Sequence, residues 1–239
     1  MTSRILSITD AEQLRWVRQS DFAQPTVSQT EFEHMLKLVN GFWLHNGDPS
    51  APHAELTSGK CSDGFINALL LLKFPQITER LGRDMADAYR QRNLPKPAWV
   101  IGSDHAAATL SYEVAKRLGA KHAFTEKRVE GKTKFQDWKR EVIDPDEPIL
   151  QSEELVSTKS TLEQVHDGIV IGNPNPVEFA EASLCLVHRS PEYEFNGWPI
   201  IYLFHYDINQ WEPEVCPLCA AGSRRLRPKT HWAELTQAV

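Results

Sequence analysis

The residues best placed to do chemistry lie between 149 and 165, in ILQSEELVSTKSTLEQV. An apolar strand-like run ends in the adjacent acids Glu153 and Glu154. A hydroxyl-rich turn follows, with Ser157, Thr158, Ser160 and Thr161, and then a helical pattern. Carboxylates at a strand end accept hydrogen bonds from a diol. Hydroxyls and unpaired N–H groups at a helix start favour a phosphate, because the dipole there is positive. The bland alternative is a solvated acidic turn followed by an ordinary Ser or Thr cap.

The elements around this segment have the order of an α/β domain. PQITERLGRDMADAYRQRN is amphipathic, with Ile77, Leu81, Met85 and Ala88 on one side. AWVIG reads as a buried strand, ATLSYEVAKRL as a helix closed by Gly119, and KHAFTE as the next strand. PILQS, STLEQVHDGI, ASLCLVH and PIIYLFHY continue the series. Such alternation predicts a mainly parallel sheet with ligands beyond the carboxyl ends of its strands. Residues 1 to about 50 read as helices, with TEFEHMLKLVNGFWL as the clearest, and a Gly-, Pro- and His-containing stretch separates them from the rest. The polar stretch 127–147, carrying Lys127, Arg128, Lys132, Lys134, Lys139 and Arg140, has no strong apolar period and reads as a mobile functional loop.

Composition excludes several classes. The chain has 239 residues, 41% hydrophobic and 24% charged, and a formal net charge of -6. That balance argues against a nucleic-acid binder. No apolar run approaches the roughly 18 to 20 residues that span a bilayer, so no membrane partner is expected. The polar start MTSRILSITD is not a signal peptide. Four cysteines do not make a disulfide framework in a chain this long, which points to a reducing cytoplasm. The motifs GxxxxGK[ST], GxGxxG, HExxH and GxSxG are all missing.

EELVSTKST resembles the ribose-phosphate signature of type I phosphoribosyltransferases. Three further stretches are similar to the orotate phosphoribosyltransferase branch: LTSGKCSDGFINA, VIGSDHAAATLSYEVAKRLGAKHAFTEK and WEPEVCPLCAAG, in family order from about Leu56 to Gly222. The resemblance implies a type I phosphoribosyltransferase fold, a mainly parallel sheet flanked by helices with a small hood. Its segments would be 1–60 (N-terminal helices and hood), 61–210 (core) and 211–239 (tail). It implies transfer of phosphoribose from 5-phosphoribosyl 1-pyrophosphate to orotate or a related base, in a homodimer, with Mg²⁺ held through the donor pyrophosphate.

Carried over by position, Glu153 and Glu154 hold the ribose hydroxyls, and Ser157, Thr158, Lys159, Ser160 and Thr161 the 5-phosphate. Gly102, Ser103, Asp104, His105, Ala106 and Ala107 form the pyrophosphate loop. Lys127, Arg128 and Lys132 belong to a closing loop, and Lys60, Cys61 and Phe65 line the base pocket. The chain departs from the pattern at Ala106-Ala107, where the family has two glycines, at Ser103-Asp104, and at Lys159, another glycine position. Edits on both phosphate loops support a second reading, a catalytically impaired member that binds a nucleotide or a partner in a regulatory role.

Cys216 and Cys219 read as half of a zinc site, for which Cys185, His205 and His231 are the near candidates. The tail's resemblance favours a buried structural turn with no metal instead. His105, His166 and His188 read as isolated histidines, and GSRRLRPK as a solvated basic patch.

Overall fold

The computed structural model describes residues 3–236. Three short 3₁₀ turns, Ile5–Ser7, Ala11–Trp16 and Gln19–Asp21, lead to helix α1 (Gln29–Leu38). A reciprocal cap starts α1: Ser28 Oγ accepts from Glu31 N–H, and the Glu31 carboxylate accepts from Ser28 N–H at 2.9 Å. The helix stops sooner than the apolar spacing predicts. Asn40 takes a left-handed φ of +56°, and Phe42–Leu44 forms strand β1.

Strands β2 (His53–Glu55), β3 (Cys61–Ser62) and β4 (Gly64–Ile66) follow, and β4 pairs antiparallel with β1. The short helix α2 (Leu69–Leu72) precedes α3 (Pro75–Arg90), whose Pro75 suits a first helical turn. Ile77, Leu81 and Met85 are fully buried on one face of α3. On another face Arg80 is buried and paired with Asp84 at 3.0 Å. It donates to the carbonyls of Gln24 and Pro25, which fastens the N-terminal segment to α3.

The central series is β5 (Trp99–Gly102), α4 (Ala106–Leu118), β6 (Lys121–Phe124), β7 (Glu126–Glu130), β8 (Thr133–Asp137), β9 (Ile149–Val156), α5 (Ser160–Gly172), β10 (Phe179–His188), β11 (Glu194–Phe195) and β12 (Trp198–His205). After β13 (Gln210–Trp211) come α6 (Pro217–Ala220), β14 (Arg225–Leu226) and α7 (Trp232–Thr236). Gly119 closes α4 at φ +66°, as its sequence position implies.

The main sheet has the order β11-β12-β10-β9-β5-β6, parallel throughout except for β11. A second sheet, β13-β3-β2-β14, forms the hood. It joins β2 to segments before and after the main series, so the hood draws on both chain ends and on Cys61–Ser62. Because β5 and β9 are neighbours, Gly102–Asp104 and Glu153–Thr158 emerge side by side. Among the described residues no helix is long and apolar enough to cross a membrane.

The stretch 127–147 is not a bare loop. β7 and β8 form a two-stranded hairpin whose turn has Gly131 at φ +61°. Trp138 and Ile143, just beyond it, are buried with Trp99, Ile149, Val165 and Ile169. β8 lies directly on α5. A Cβ on Gly168 would stand 1.8 Å from the Gln136 carbonyl oxygen, and one on Gly172 2.6 Å from that of Trp138. Two glycines one helical turn apart therefore let backbone meet backbone where side chains would hold the hairpin off.

Candidate active site

The β5–α4 loop and the end of β9 are joined by one carboxylate. Ser103 donates to Glu153 twice, from its N–H at 2.9 Å and its hydroxyl at 2.8 Å. Glu153 is 1% exposed, faces Cys185 across the β9–β10 register, and acts as a buried strut under the loop. A Cβ on Gly102 would lie 2.7 Å from the Ser152 carbonyl, so only glycine fits this junction. Glu154 is half-buried and Asp104 partly exposed. Asp104 accepts a long contact from Gln136 of the hairpin at 3.4 Å, and Thr125 holds the same Gln136 at 2.9 Å. His105 adopts φ +60° and ψ −118°, a backbone region that costs a non-glycine residue about 1–3 kcal/mol. The strain sits where the sequence reading looked for lost glycines, one residue earlier.

Burial pushes Glu153 well above the ordinary carboxylate range, and the neighbouring Glu154 charge adds to this. Glu154 is also raised, by burial first and then by Asp104. Among the described residues no Lys or Arg forms an ion pair with Glu153, Glu154 or Asp104. The pH consequence has a definite sign. A raised folded-state value means that the native protein holds the proton over a range where the unfolded chain has released it. Stability therefore falls as pH rises from the ordinary glutamate value through the raised one. Glu153→Gln keeps an acceptor for Ser103 N–H and removes the titration. Its melting temperature should gain on the wild type between pH 5 and pH 8; parallel melting curves would rule out a buried proton on Glu153.

The hydroxyl-rich turn lies at the N-terminus of α5. Lys159 occupies the cap position at φ +59°, ψ −7°, the left-handed geometry for which glycine is suited. The conformation is kept despite the side chain, at a cost of roughly 1–2 kcal/mol. Its ammonium is drawn sideways, paired with the Glu192 carboxylate and 3.4 Å from the Glu194 carbonyl. Thr158 and Ser160 share a hydroxyl contact at 3.1 Å, and both are exposed. No side chain of the cap residue accepts from the first-turn N–H groups of α5.

The hairpin's charges are unequally engaged. Arg128 is held by Asp137 at 2.8 Å and by Glu130, over the Phe135 ring. Lys139 pairs with Asp137 at 3.2 Å. Lys127 and Lys132 are exposed and form no ion pair among the described residues. A cavity of about 400 Å³ lies between the hairpin and α5, bounded by Phe135, Trp138, Gln164 and Ile171.

No family model matches the chain. The orotate phosphoribosyltransferase of Heliobacterium modesticaldum is 30% identical over 176 residues, covering 74% of this chain and 88% of the relative. The chain belongs to the orotate phosphoribosyltransferase family. The enzyme of that name from Caldicellulosiruptor saccharolyticus is 28% identical, with 74% and 87% covered. Among solved structures, the orotate phosphoribosyltransferase of Aeropyrum pernix aligns with a TM-score of 0.50 at 16% identity, over 73% of this chain and 93% of that one. Leishmania donovani UMP synthase aligns with a TM-score of 0.51 at 16% identity, over 76% of this chain and 36% of that one. The fold is the type I phosphoribosyltransferase fold that the motifs implied.

Within this family member the hood departs from expectation. Cys61 is fully buried, with its sulfur 3.6 Å from Cys219. Lys60 pairs with Glu212 at 3.0 Å, and Phe65 sets its edge against Trp232. The companions of Cys216 and Cys219 are His53 and Cys61. Cys185 instead lies in the core opposite Glu153, and His231 bonds Thr230. His205 joins His188, which is not isolated, in a stack with Tyr193 and Tyr202. His166 stacks on Phe179, and His105 is exposed beside Asp104. The basic run near the end is engaged, with Arg225 and Arg227 on Glu55 and Arg224 on Glu234. His53 escaped notice because its stretch reads as a linker. The available signal was a further cysteine, Cys61, that the resemblance had placed in the base pocket rather than beside the CxxC.

Proposed function

We propose that the chain transfers phosphoribose from 5-phosphoribosyl 1-pyrophosphate to orotate or a related base and releases pyrophosphate. The observation that carries this reading is the start of α5. Lys159 keeps the left-handed backbone of a glycine turn and its ammonium is held aside by Glu192, while Ser157, Thr158, Ser160 and Thr161 surround a helix N-terminus without a side-chain cap. Such a cup suits a phosphate dianion.

In the reaction the bond from ribose C1 to the pyrophosphate oxygen breaks, a bond from C1 to the base nitrogen forms, and positive charge develops on the ring. Glu154 is the acid that faces the sugar and stabilises that charge, and Glu153 holds the Ser103 loop from beneath. Asp104 and Glu154 are hard oxygen donors with no Lys or Arg paired to them among the described residues, a donor set that fits Mg²⁺. The metal would neutralise the pyrophosphate. Lys127 and Lys132 supply further positive charge from the docked hairpin. The protein works as a cytoplasmic homodimer.

A second reading, an impaired member that binds a nucleotide or partner in a regulatory role, is favoured by one observation. The Ser103-Asp104-His105 loop carries an acid and a strained histidine where pyrophosphate would approach. Following orotate absorbance with donor and Mg²⁺ separates the two. The transferase reading expects Mg²⁺-dependent loss of orotate, abolished by Glu154→Gln. Donor binding with no turnover of orotate or other bases would select the second.

A further inference from the structure

The hood sheet, separate from the main sheet that carries the phosphate cup, contains three cysteines and a histidine that the transfer reaction described above does not use. His53, Cys61, Cys216 and Cys219 place their ligand atoms within 4.8 Å of one another. The Cys61 and Cys219 sulfurs are 3.6 Å apart, and His53 Nε2 lies 3.4 Å from Cys219 Sγ and 3.7 Å from Cys216 Sγ. Four ligands about 2.0–2.3 Å from a tetrahedral zinc ion stand roughly 3.5–3.8 Å from one another; these three separations are close to that, and the remaining ones stay within 4.8 Å. A disulfide would bring two sulfurs to about 2.05 Å, and all four cysteines of the chain are free thiols.

The surroundings fix the imidazole for the same purpose. Ser223 donates its single hydroxyl proton to the Ala51 carbonyl, so it accepts at its oxygen from His53 Nδ1–H, 2.8 Å away. The proton on Nδ1 leaves the Nε2 lone pair aimed at the sulfurs. This is the outer hydrogen bond that ligating histidines characteristically make. Cys219 N–H points at Cys216 Sγ at 3.5 Å, a contact that a thiolate accepts better than a thiol. His53, Cys61 and Cys216 are buried and Cys219 is partly exposed, and Arg225, on the adjacent strand and bonded to Gly59 and Glu55, supplies positive charge.

We infer that His53, Cys61, Cys216 and Cys219 form a structural Cys₃His zinc site that fastens the C-terminal α6 segment to strands β2 and β3 of the hood. The protein supplies all four ligands, so the ion has no open position and takes no part in catalysis. Three thiolates and a neutral imidazole leave one net negative charge on the complex, beside Arg225. The ligands come from two stretches, 53–61 and 216–219, that are distant in sequence. Metal binding therefore closes the hood sheet, whose outer strands β13 and β14 flank the α6 segment.

The test uses the full chain, purified without a metal-affinity step and with reductant present. Metal analysis should find about one zinc ion per chain. Cobalt added to the metal-depleted protein should give the intense absorption of tetrahedral thiolate-bound Co²⁺. Cys185→Ser should keep the metal, and Cys216→Ser with Cys219→Ser should lose it. Ser223→Ala should weaken cobalt affinity about 10- to 100-fold at unchanged stoichiometry. Because the double variant is at risk of misfolding, the wild-type cobalt titration decides. Zinc far below stoichiometry together with no thiolate–cobalt band would overturn the site, as would a Cys61–Cys219 disulfide in the reduced preparation. Neither result bears on phosphoribosyl transfer, which is read separately by orotate consumption.

Discussion

Ser160→Glu is expected to lose donor binding by about 100- to 1,000-fold while the fold is unharmed. Two unit charges about 4 Å apart repel by roughly 4 kcal/mol at the effective dielectric of a protein surface, which corresponds to this loss. The same carboxylate helps the helix. In the first turn of α5 it meets the positive dipole end and stabilises by about 0.3–1 kcal/mol. Binding and stability thus move in opposite directions from one substitution. Calorimetric titration with 5-phosphoribosyl 1-pyrophosphate and a thermal melt measure the two effects. Unchanged donor affinity would place the 5-phosphate somewhere other than the α5 N-terminus.

Gly168→Ala should destabilise the protein by about 3 kcal/mol, the upper part of the range for overpacking. For a chain of this size that lowers the melting temperature by about 6–12 °C. The added Cβ would overlap the Gln136 carbonyl, so β8 must lift from α5. With it moves Gln136, which touches Asp104 and Thr125, and orotate turnover should fall too. The sign makes the test sharp. In a helix free of such contact, Ala in place of Gly stabilises by about 1 kcal/mol. A higher melting temperature would mean that the hairpin is detached in solution, as a mobile loop would be.

The βαβ order was legible because buried parallel strands read as short apolar runs and α3 has a clear 3.6-residue period. Even the left-handed turn at Lys159 could be foreseen from the motif. β1 was hidden because the α1 pattern runs unbroken into Phe42 and Trp43, with only Asn40-Gly41 to mark the stop. The hairpin was hidden for a different reason. Its outward faces are polar, and what docks it is backbone contact against Gly168 and Gly172, which leaves no apolar period.

Adjacent strand residues project to opposite faces, so Glu153 and Glu154 were never equivalent. One is a buried strut and the other is half-buried. Which was which depended on the partner Ser103, and no spacing reveals that. The hood cluster depended on His53 and Cys61 folding onto a tail more than a hundred residues away.

The most direct test is calorimetric titration of the wild-type protein with 5-phosphoribosyl 1-pyrophosphate, with and without Mg²⁺. The proposal predicts saturable one-to-one binding that Mg²⁺ strengthens and that inorganic phosphate competes away. An absence of heat and of competition in both conditions, from protein that melts cooperatively, would contradict it.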